Sequence, residues 1–263
     1  MLFRSERVDG KKIVFKNPVK VKKIKWHSDV VIFGGRGMGQ YRRVADYDRK
    51  TRTLTVVRPW DVLPDADSVV CIGRPLRRTV VYGNYLDAKP RAALSESHIA
   101  SAGVEPFGSS VELIVDSNTF HQVRTPIATF SPYLFHRYEN NEFVDNRVGA
   151  RFGGGRGTVV RHNRVDRQRL RWCQLGGHKY GAGYSVIEHN QGRNLPVVVR
   201  LGNRYKSKIS GQTALVYKNR FEHGRAPGDL AIALRTIDPE PLIVRDNRFR
   251  GFKKEIDAGG LKK

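Results

Sequence analysis

The hydrophobic and polar positions of this chain repeat one short phrase. It consists of two apolar residues, two variable residues, an Asn, another variable residue and an apolar one. The phrase is clearest at residues 114–120, 159–165, 215–221 and 243–249, and altered forms bring the number of copies to seven. The copies are marked by Asn84, Asn118, Asn141, Asn163, Asn190, Asn219 and Asn247, at intervals of 34, 23, 22, 27, 29 and 28 residues. Self-similarity at such a period predicts a solenoid.

The phrase is typical of β-structure rather than helix. Its residues are β-branched and aromatic, each copy is short, and the Asn that closes it tolerates left-handed turns. A coil of roughly 22 to 29 residues has room for about three short strands, and coils stacked about 4.8 Å apart form a parallel β-helix. The predicted fold class is therefore all-β. Stacking also places Asn above Asn, so we interpret these side chains as a structural hydrogen-bonded ladder.

The repeats between residues 79 and 252 resemble those of right-handed parallel β-helix proteins of the pectate-lyase-like superfamily. The resemblance implies the handedness and the fold. It does not imply one activity, because that superfamily includes polysaccharide lyases, glycoside hydrolases, epimerases, phage tailspikes and adhesins. Function must therefore be argued from a site.

The sequence predicts four parts. Residues 1–27 alternate Lys with apolar residues, the period of strands, and are expected to form incomplete N-terminal strands, as a first coil or a Lys-lined sheet edge. Residues 28–73 are a Gly-rich strand and hairpin segment that resembles the stretch preceding the coils of many bacterial β-helix proteins. Residues 74–252 form the β-helix, and residues 253–263 a basic tail. Irregular stretches at residues 87–110, 172–183 and 224–241 are expected to project as loops beside a groove.

Four glycines and one arginine occupy residues 34–39. Backbone amides in such a run can cradle a phosphate. Here no Lys-Ser or Lys-Thr follows, and the next residues are strand-like, so we interpret the glycines as positions of close backbone approach. Cys71 and Cys173 are the only cysteines, too few for a disulfide framework, and are expected in the core.

The composition adds a strong positive charge. Lys and Arg number 48 against 25 Asp and Glu, for a net charge of +23, which predicts a polyanionic partner. Abundant Arg in the repeats favours bidentate recognition of carboxylate or sulfate. Acidic polysaccharide is the preferred partner, and nucleic acid a weaker one, because the aromatic residues occupy core-like positions instead of interleaving with basic ones. General solubility is the alternative explanation of the charge.

The location is expected to be extracellular or periplasmic. No stretch of 18 apolar residues is present, so no membrane span is predicted. The N-terminus lacks the apolar core of a signal peptide, and we expect an upstream segment to be missing from this sequence. The pattern does not specify an oligomeric state.

Stacking turns the repeat into columns of side chains. The residues three before and two after each Asn are predicted to point inward, and the residue two before it outward. The outward column reads Tyr82, Asp116, Glu139, Arg161, Glu188, Tyr217 and Arg245. The residue before the Asn supplies His162, His189 and Lys218, and the residue after it supplies Arg164, Arg220 and Arg248.

These columns form the candidate site. Asp116 and Glu139, about 5 Å apart, can bind Ca²⁺ or divide the roles of acid and base. The arrangement resembles that of some β-helix lyases, which hold Ca²⁺ on outward carboxylates and use Arg or Lys as the base.

In that hypothesis the columns take the following roles. Asp116, Glu139 and Glu188 hold a cation or the substrate carboxylate, and Arg161 neutralises it. The proton is abstracted by His162, His189 or Lys218, and further contacts to the substrate come from Arg164, Arg220 and Arg248. The alternatives are a binding protein without catalysis, and a structural or adhesive β-helix whose charged columns merely stack.

Overall fold

The computed structural model describes residues 2–19, 24, 28–88, 102–106, 108–130, 132–176, 183–201, 213–223, 230–234 and 242–257. All regular secondary structure in this part of the chain is β-strand. No helix in it is long and apolar enough to cross a membrane. The chain forms two compact units, residues 1–76 and 77–263.

The first unit is a closed antiparallel barrel. Its strands are β1 (Leu2–Asp9), β2 (Lys12–Phe15), β3 (Asp29–Gly34), β4 (Tyr41–Asp48), β5 (Thr53–Val56) and β6 (Val69–Gly73), arranged in the order β1-β2-β5-β4-β3-β6. In β2 the alternating pattern exposes Lys12 and buries Ile13 and Phe15 in the barrel core.

The division predicted between residues 27 and 28 falls inside this barrel. β1 pairs with β6 and β2 with β5, so these two strands form neither a coil of the β-helix nor an open edge. Residues 20–23 and 25–27 of the Lys-rich stretch lie outside the described residues. The barrel ends close to the predicted boundary at residue 73, because the division between the two units follows residue 76.

The glycine run forms a turn packed against residues 61–68. An added Cβ would lie 2.9 Å from the Ser68 Cα at Gly35 and 2.9 Å from the Val62 carbonyl oxygen at Gly37. The Gln40 side chain fastens the same turn, because its Oε1 accepts the Asp61 amide at 2.8 Å and its Nε2 donates to the Val62 carbonyl at 2.7 Å. The glycines therefore serve close backbone approach.

The second unit is a solenoid of three sheets in which strands of successive coils pair in parallel. Sheet 1 contains β7 (Leu76–Tyr82), β10 (Ser110–Asp116), β13 (Tyr133–Leu134), β14 (Arg137–Glu139), β17 (Gly155–Arg156), β18 (Val159–Arg161), β21 (Ser185–Glu188), β24 (Ala214–Tyr217) and β27 (Leu242–Arg245). Sheet 2 contains β8 (Tyr85–Asp87), β11 (Thr119–His121), β15 (Glu142–Val144), β19 (Arg164–Asp166), β22 (Gln191–Arg193), β25 (Arg220–Glu222) and β28 (Arg248–Arg250).

Sheet 3 contains β9 (Ala102–Val104), β12 (Thr125–Thr129), β16 (Val148–Phe152), β20 (Arg171–Leu175), β23 (Val197–Leu201), β26 (Leu230–Leu234) and β29 (Lys254–Asp257). The predicted right-handed parallel β-helix is thus confirmed. It extends into the predicted basic tail, because β29 pairs with β26. The prediction of loops at residues 87–110, 172–183 and 224–241 is wrong in part, because β9, β20 and β26 lie within or overlap them and pair in sheet 3. Residues 89–101, 177–182, 224–229 and 235–241 lie outside the described residues.

The seven Asn side chains form one continuous ladder. The Nδ2 of each of the first six Asn residues donates to the Oδ1 of the Asn in the next coil, at 2.9 to 3.2 Å. The backbone amides of the same six residues donate to that same oxygen at 2.9 to 3.0 Å. The left-handed residue is the one before the Asn, with φ between 49° and 66°, so the expectation that the Asn itself makes the left-handed turn is wrong.

The inward columns build the core. The residue three before each Asn and the residue two after it are buried in the central coils, as in Val115, Phe120, Tyr138 and Phe143. Gly192 interrupts the second of these columns. The Trp172 ring occupies the neighbourhood instead, since its centroid lies 6.5 Å from that of Phe143 and 5.3 Å from that of Phe221.

Candidate functional site

The predicted outward column exists as an in-register row on sheet 1. Strand pairing aligns Asp116 with Glu139, Glu139 with Arg161, Arg161 with Glu188, Glu188 with Tyr217, and Tyr217 with Arg245. Neighbouring strands lie about 4.8 Å apart, so each side chain can contact the next. The repeat period alone brings these residues together.

Arg161 is held between two carboxylates of this row. Its Nε lies 3.2 Å from Glu139 Oε1, and its Nη1 lies 3.9 Å from Glu188 Oε1. Arg137 adds a second cation, with Nε 3.8 Å from the same Glu139 oxygen. The Glu139 side chain is only 12% exposed. A substrate carboxylate would therefore compete with Glu139 and Glu188 for the Arg161 guanidinium, which weakens its predicted role.

Asp116 and Glu139 do not fit a Ca²⁺ site. Asp116 Oδ1 accepts hydrogen bonds from Ser117 Oγ and Asn140 Nδ2, each at 3.0 Å. Glu139 is occupied by two guanidinium groups, which repel a cation. No cluster of three or more His, Cys, Asp and Glu suited to a metal ion occurs in the part of the chain that the structure describes.

The residues before the Asn form an exposed stack along the turn. The His162 and His189 rings stack at 5.3 Å with an angle of 25°, and His189 meets Tyr217 edge-on at 5.9 Å. Lys218 Nζ lies 4.8 Å from the Tyr217 centroid, and Arg245 Cζ lies 4.9 Å from it.

These contacts affect the predicted bases differently. The hydrogen bond with Tyr217 raises the pKa of Lys218, which keeps its ammonium group charged and opposes service as a base. The exposed imidazoles of His162 and His189 stay accessible as proton acceptors, and Glu188 Oε2 lies 3.7 Å from His189 Nδ1.

The residues after the Asn lie on the outer face of sheet 2. Arg164, Gln191, Arg220 and Arg248 are aligned there in successive coils. Beside them a groove of about 600 Å³ runs between two outward rows. It is lined by Glu142, Val144, Arg164, Val165, Asp166, Gln191, Gly192, Arg193, Arg220 and Glu222.

Several groove residues were missed by the sequence reasoning. Asp166, Arg193 and Glu222 occupy the position three after the Asn, which also points outward because strand side chains alternate. Arg193 Nε lies 3.4 Å from Asp166 Oδ1, and Arg220 Nη2 lies 3.5 Å from Glu222 Oε1. Arg164 and Arg248 are exposed and make no ion pair with any described residue, so their guanidinium groups are available to a ligand.

We use the name corner surface for the residues two before, one before, one after and three after each Asn. In the first three coils it carries four acidic residues and no Lys or Arg: Asp87, Asp116, Glu139 and Glu142. In the last four coils it carries eight basic and four acidic residues: Arg161, Arg164, Arg193, Lys218, Arg220, Arg245, Arg248 and Arg250 with Asp166, Glu188, Glu222 and Asp246. Formal charge thus changes from −4 to +4 along the solenoid.

A second polar cluster is buried and stands apart from the corner surface. Ser110 Oγ and the Tyr138 hydroxyl each lie 2.8 Å from a ring nitrogen of His136. Burial lowers the pKa of His136 from its ordinary 6.5 to about 3, so the ring is neutral at neutral pH. We interpret this cluster as structural, because its polar groups are satisfied internally.

Comparisons with known proteins find similarity to solved structures alone. No protein-family model matches the chain, and no curated protein matches it. Among solved structures, the chain is similar to the tailspike gp61 of Pseudomonas phage phi297, with 12% identity, a TM-score of 0.27, and coverage of 95% of this chain and 56% of that one. It is also similar to the tailspike gp49 of Pseudomonas phage LKA1, with 8% identity, a TM-score of 0.22, and coverage of 94% and 64%. The chain thus spans less than two thirds of either tailspike.

Proposed function

We propose that this β-helix binds an acidic polysaccharide along the corner surface of its last four coils. The observation that carries the proposal is the charge of that surface, +4 over four coils, with Arg164 and Arg248 unpaired among the described residues. A guanidinium group binds carboxylate or sulfate with two parallel hydrogen bonds, which an extended polyanion can engage coil after coil. The proposal includes an extracellular or periplasmic location, where such polymers occur.

The groove on sheet 2 favours a polysaccharide over a nucleic acid. Three carboxylates, Glu142, Asp166 and Glu222, line it beside the arginines. They would repel a closely spaced phosphate backbone, but they accept hydrogen bonds from the hydroxyl groups that separate the charges of an acidic sugar chain. Tyr217 offers no open stacking platform to a base, since cations lie near its ring.

Binding is better supported than cleavage. Arg161 is engaged by two glutamates and Lys218 is kept protonated, so two of the four predicted catalytic residues are poorly suited to their roles. The exposed pair His162 and His189 is the feature that favours elimination as a second activity. In that reaction an imidazole would take the proton next to the uronate carboxyl, and the glycosidic oxygen would leave to give an unsaturated sugar.

The test is binding to immobilised acidic polysaccharides, with absorbance of unsaturated product followed in parallel. The double variant Arg164→Gln/Arg248→Gln should bind at least about tenfold more weakly, because each residue loses a charge-assisted hydrogen bond. The matched control, Arg58→Gln/Arg74→Gln, removes two exposed charges from the first unit and should retain binding within about twofold.

The outcomes separate the alternatives. Equal loss in both variants would mean that net charge alone drives binding, and would overturn the proposed site. Equal or stronger binding to nucleic acid at physiological salt would favour that partner instead. Absence of binding to every polymer would leave a structural or adhesive β-helix.

A further inference from the structure

Two aromatic side chains on sheet 1 are exposed where the backbone is left-handed. Phe135 has φ 56° and is 40% exposed, and Tyr184 has φ 50° and is 53% exposed. Register places Leu134 beside Arg156 and Arg156 beside Gly183, so Phe135, Gly157 and Tyr184 follow one another up a single column. A left-handed aromatic residue costs about 1 kcal/mol or more. Packing does not explain the column, because these rings face outward.

Phe135 forms one wall of a groove. The cavity has a volume of about 450 Å³, within the usual range of ligand pockets of about 300–1,000 Å³. Its lining is largely apolar, with Val80, Ile114 and Val159 beside the ring, and the charged groups of Arg78, Glu112 and Arg137 complete it. Arg78 Nε lies 3.2 Å from Glu112 Oε2. Gly157 makes room for the wall, because a Cβ there would lie 2.7 Å from Phe135 Cδ1.

The lining indicates the class of ligand. Both arginines of the groove already face a glutamate, Arg78 at 3.2 Å from Glu112 and Arg137 at 3.8 Å from Glu139, so a carboxylate or sulfate would have to compete with these side chains on an otherwise apolar surface. Asp116 lies in the next outward row of the same face, where its carboxylate repels anions but accepts hydrogen bonds from hydroxyl groups. An uncharged sugar ring meets both conditions, since its C–H face is apolar and its edge carries hydroxyl groups.

We infer that this groove, with Phe135 as its stacking platform and Tyr184 as a second platform further along the same column, binds uncharged pyranose residues of the same polysaccharide. The inference rests on the proposed function, because the groove and the corner surface share the outer face of sheet 1. Phe135 and Tyr184 are two coils apart, about 9.6 Å at the strand spacing, so they contact different sugars of an extended chain. The preferred polymer therefore contains both uncharged and acidic residues, with uncharged ones over the third coil, which holds Phe135, and over the fifth, which holds Tyr184.

The test uses an array of oligosaccharides, some uncharged and some containing only uronate. The variant Phe135→Asn/Tyr184→Asn removes both rings, and Asn tolerates the left-handed backbone. We expect its binding to uncharged oligosaccharides to fall at least about tenfold, with binding to uronate oligomers unchanged. Phe135→Tyr should retain binding. Leu170→Asn, which removes a side chain that is 42% exposed elsewhere, is the matched control.

The proposal is overturned if no uncharged oligosaccharide binds the wild type, or if the ring-free variant binds as well. Failure here with uronate binding intact would leave the proposed function standing. The variant Arg164→Gln/Arg248→Gln keeps both rings, so its loss of uronate binding tests the proposed function alone. Light scattering on the same variants tests the competing occupant, a second copy of the chain. A change in oligomeric state on removal of the rings would show that the groove contacts another copy, which would also overturn the proposal.

Discussion

The first three coils and the last four coils of the β-helix have the same interior and opposite surfaces. One Asn ladder runs through both regions, and the residues three before and two after each Asn fill one continuous core. The corner surface carries a formal charge of −4 in the first region and +4 in the second. In a strand, inward and outward positions alternate, so the fold restricts one set and leaves the other free to vary. The fold therefore does not require the contrast in charge, which fits the proposed binding of a polyanion to the second region.

The largest expected effect is the loss of stability when an Asn of the ladder is replaced, and it tests whether the two regions share one interior. Asn141→Ala in the first region and Asn190→Ala in the second each remove a hydrogen-bond partner from three buried groups, the backbone amide and side-chain amide of the preceding Asn and one strand carbonyl. At about 1 to 3 kcal/mol per group, each should lower the free energy of unfolding by at least about 3 kcal/mol. Denaturant unfolding measures this. Asn140→Gly, an exposed neighbour outside the ladder that keeps the left-handed turn, should cost less than about 1 kcal/mol, and a large difference between the two Ala variants would contradict a common scaffold.

The next effect is a dependence of stability on pH, which is expected only in the first region because His136 lies there. Because the pKa of His136 falls from 6.5 to about 3 on folding, the unfolded chain takes up a proton between these values and the folded chain does not. Stability is therefore complete above pH 6.5 and is lost as the pH falls, by about 1.4 kcal/mol per unit and about 3 kcal/mol at pH 4.

Hydrogen exchange at pH 4 should show this opening first around β10 and β14, which hold Ser110 and Tyr138. In His136→Gln the dependence on pH from this residue should disappear. Uniform acid destabilisation of both regions, unchanged in that variant, would mean that His136 is not responsible.

A smaller effect tests the change in surface charge. Glu142 lies directly before Arg164 in its row on sheet 2. Glu142→Arg extends the basic row into the first region, so affinity for an acidic polysaccharide should rise about three- to tenfold and become more dependent on salt. Asp48→Arg makes the same charge change on the exposed surface of the first unit and should leave affinity within about twofold. Equal gains in both would mean that the position of the charge does not matter.

The smallest effect concerns the row in which the two regions meet. Glu139→Gln removes one partner of Arg161, whose side chain is 38% exposed, so the loss of stability should be about 1 kcal/mol or less. The same change frees Arg161 for a ligand carboxylate, and affinity should rise about twofold. Unchanged affinity, measured alongside thermal unfolding, would show that Arg161 does not reach the ligand.

The sequence predicted the β-helix coils and their columns well, because the repeat specifies both strand period and coil register. It predicted the barrel of residues 1–76 poorly. The alternation at residues 11–15 identifies β2 as a strand, but no repeat indicates that β1 and β2 close a sheet with β5 and β6. The candidate site was predicted in part. The row containing Asp116, Glu139, Arg161 and Glu188 is aligned in the structure, whereas Asp166, Arg193 and Glu222 were overlooked one outward position further on.

The sequence by itself determined the solenoid, the Asn ladder and the alignment of outward residues, since each follows from a local pattern repeated at one period. Only the tertiary structure decided which charges are already paired. It showed Arg161 held by Glu139 and Glu188, Lys218 against Tyr217, and Arg164 without an ion pair among the described residues. It also placed Phe135 and Gly157 at one groove wall. Side-chain distances between coils depend on rotamers and on the left-handed turns, which a one-dimensional pattern does not specify.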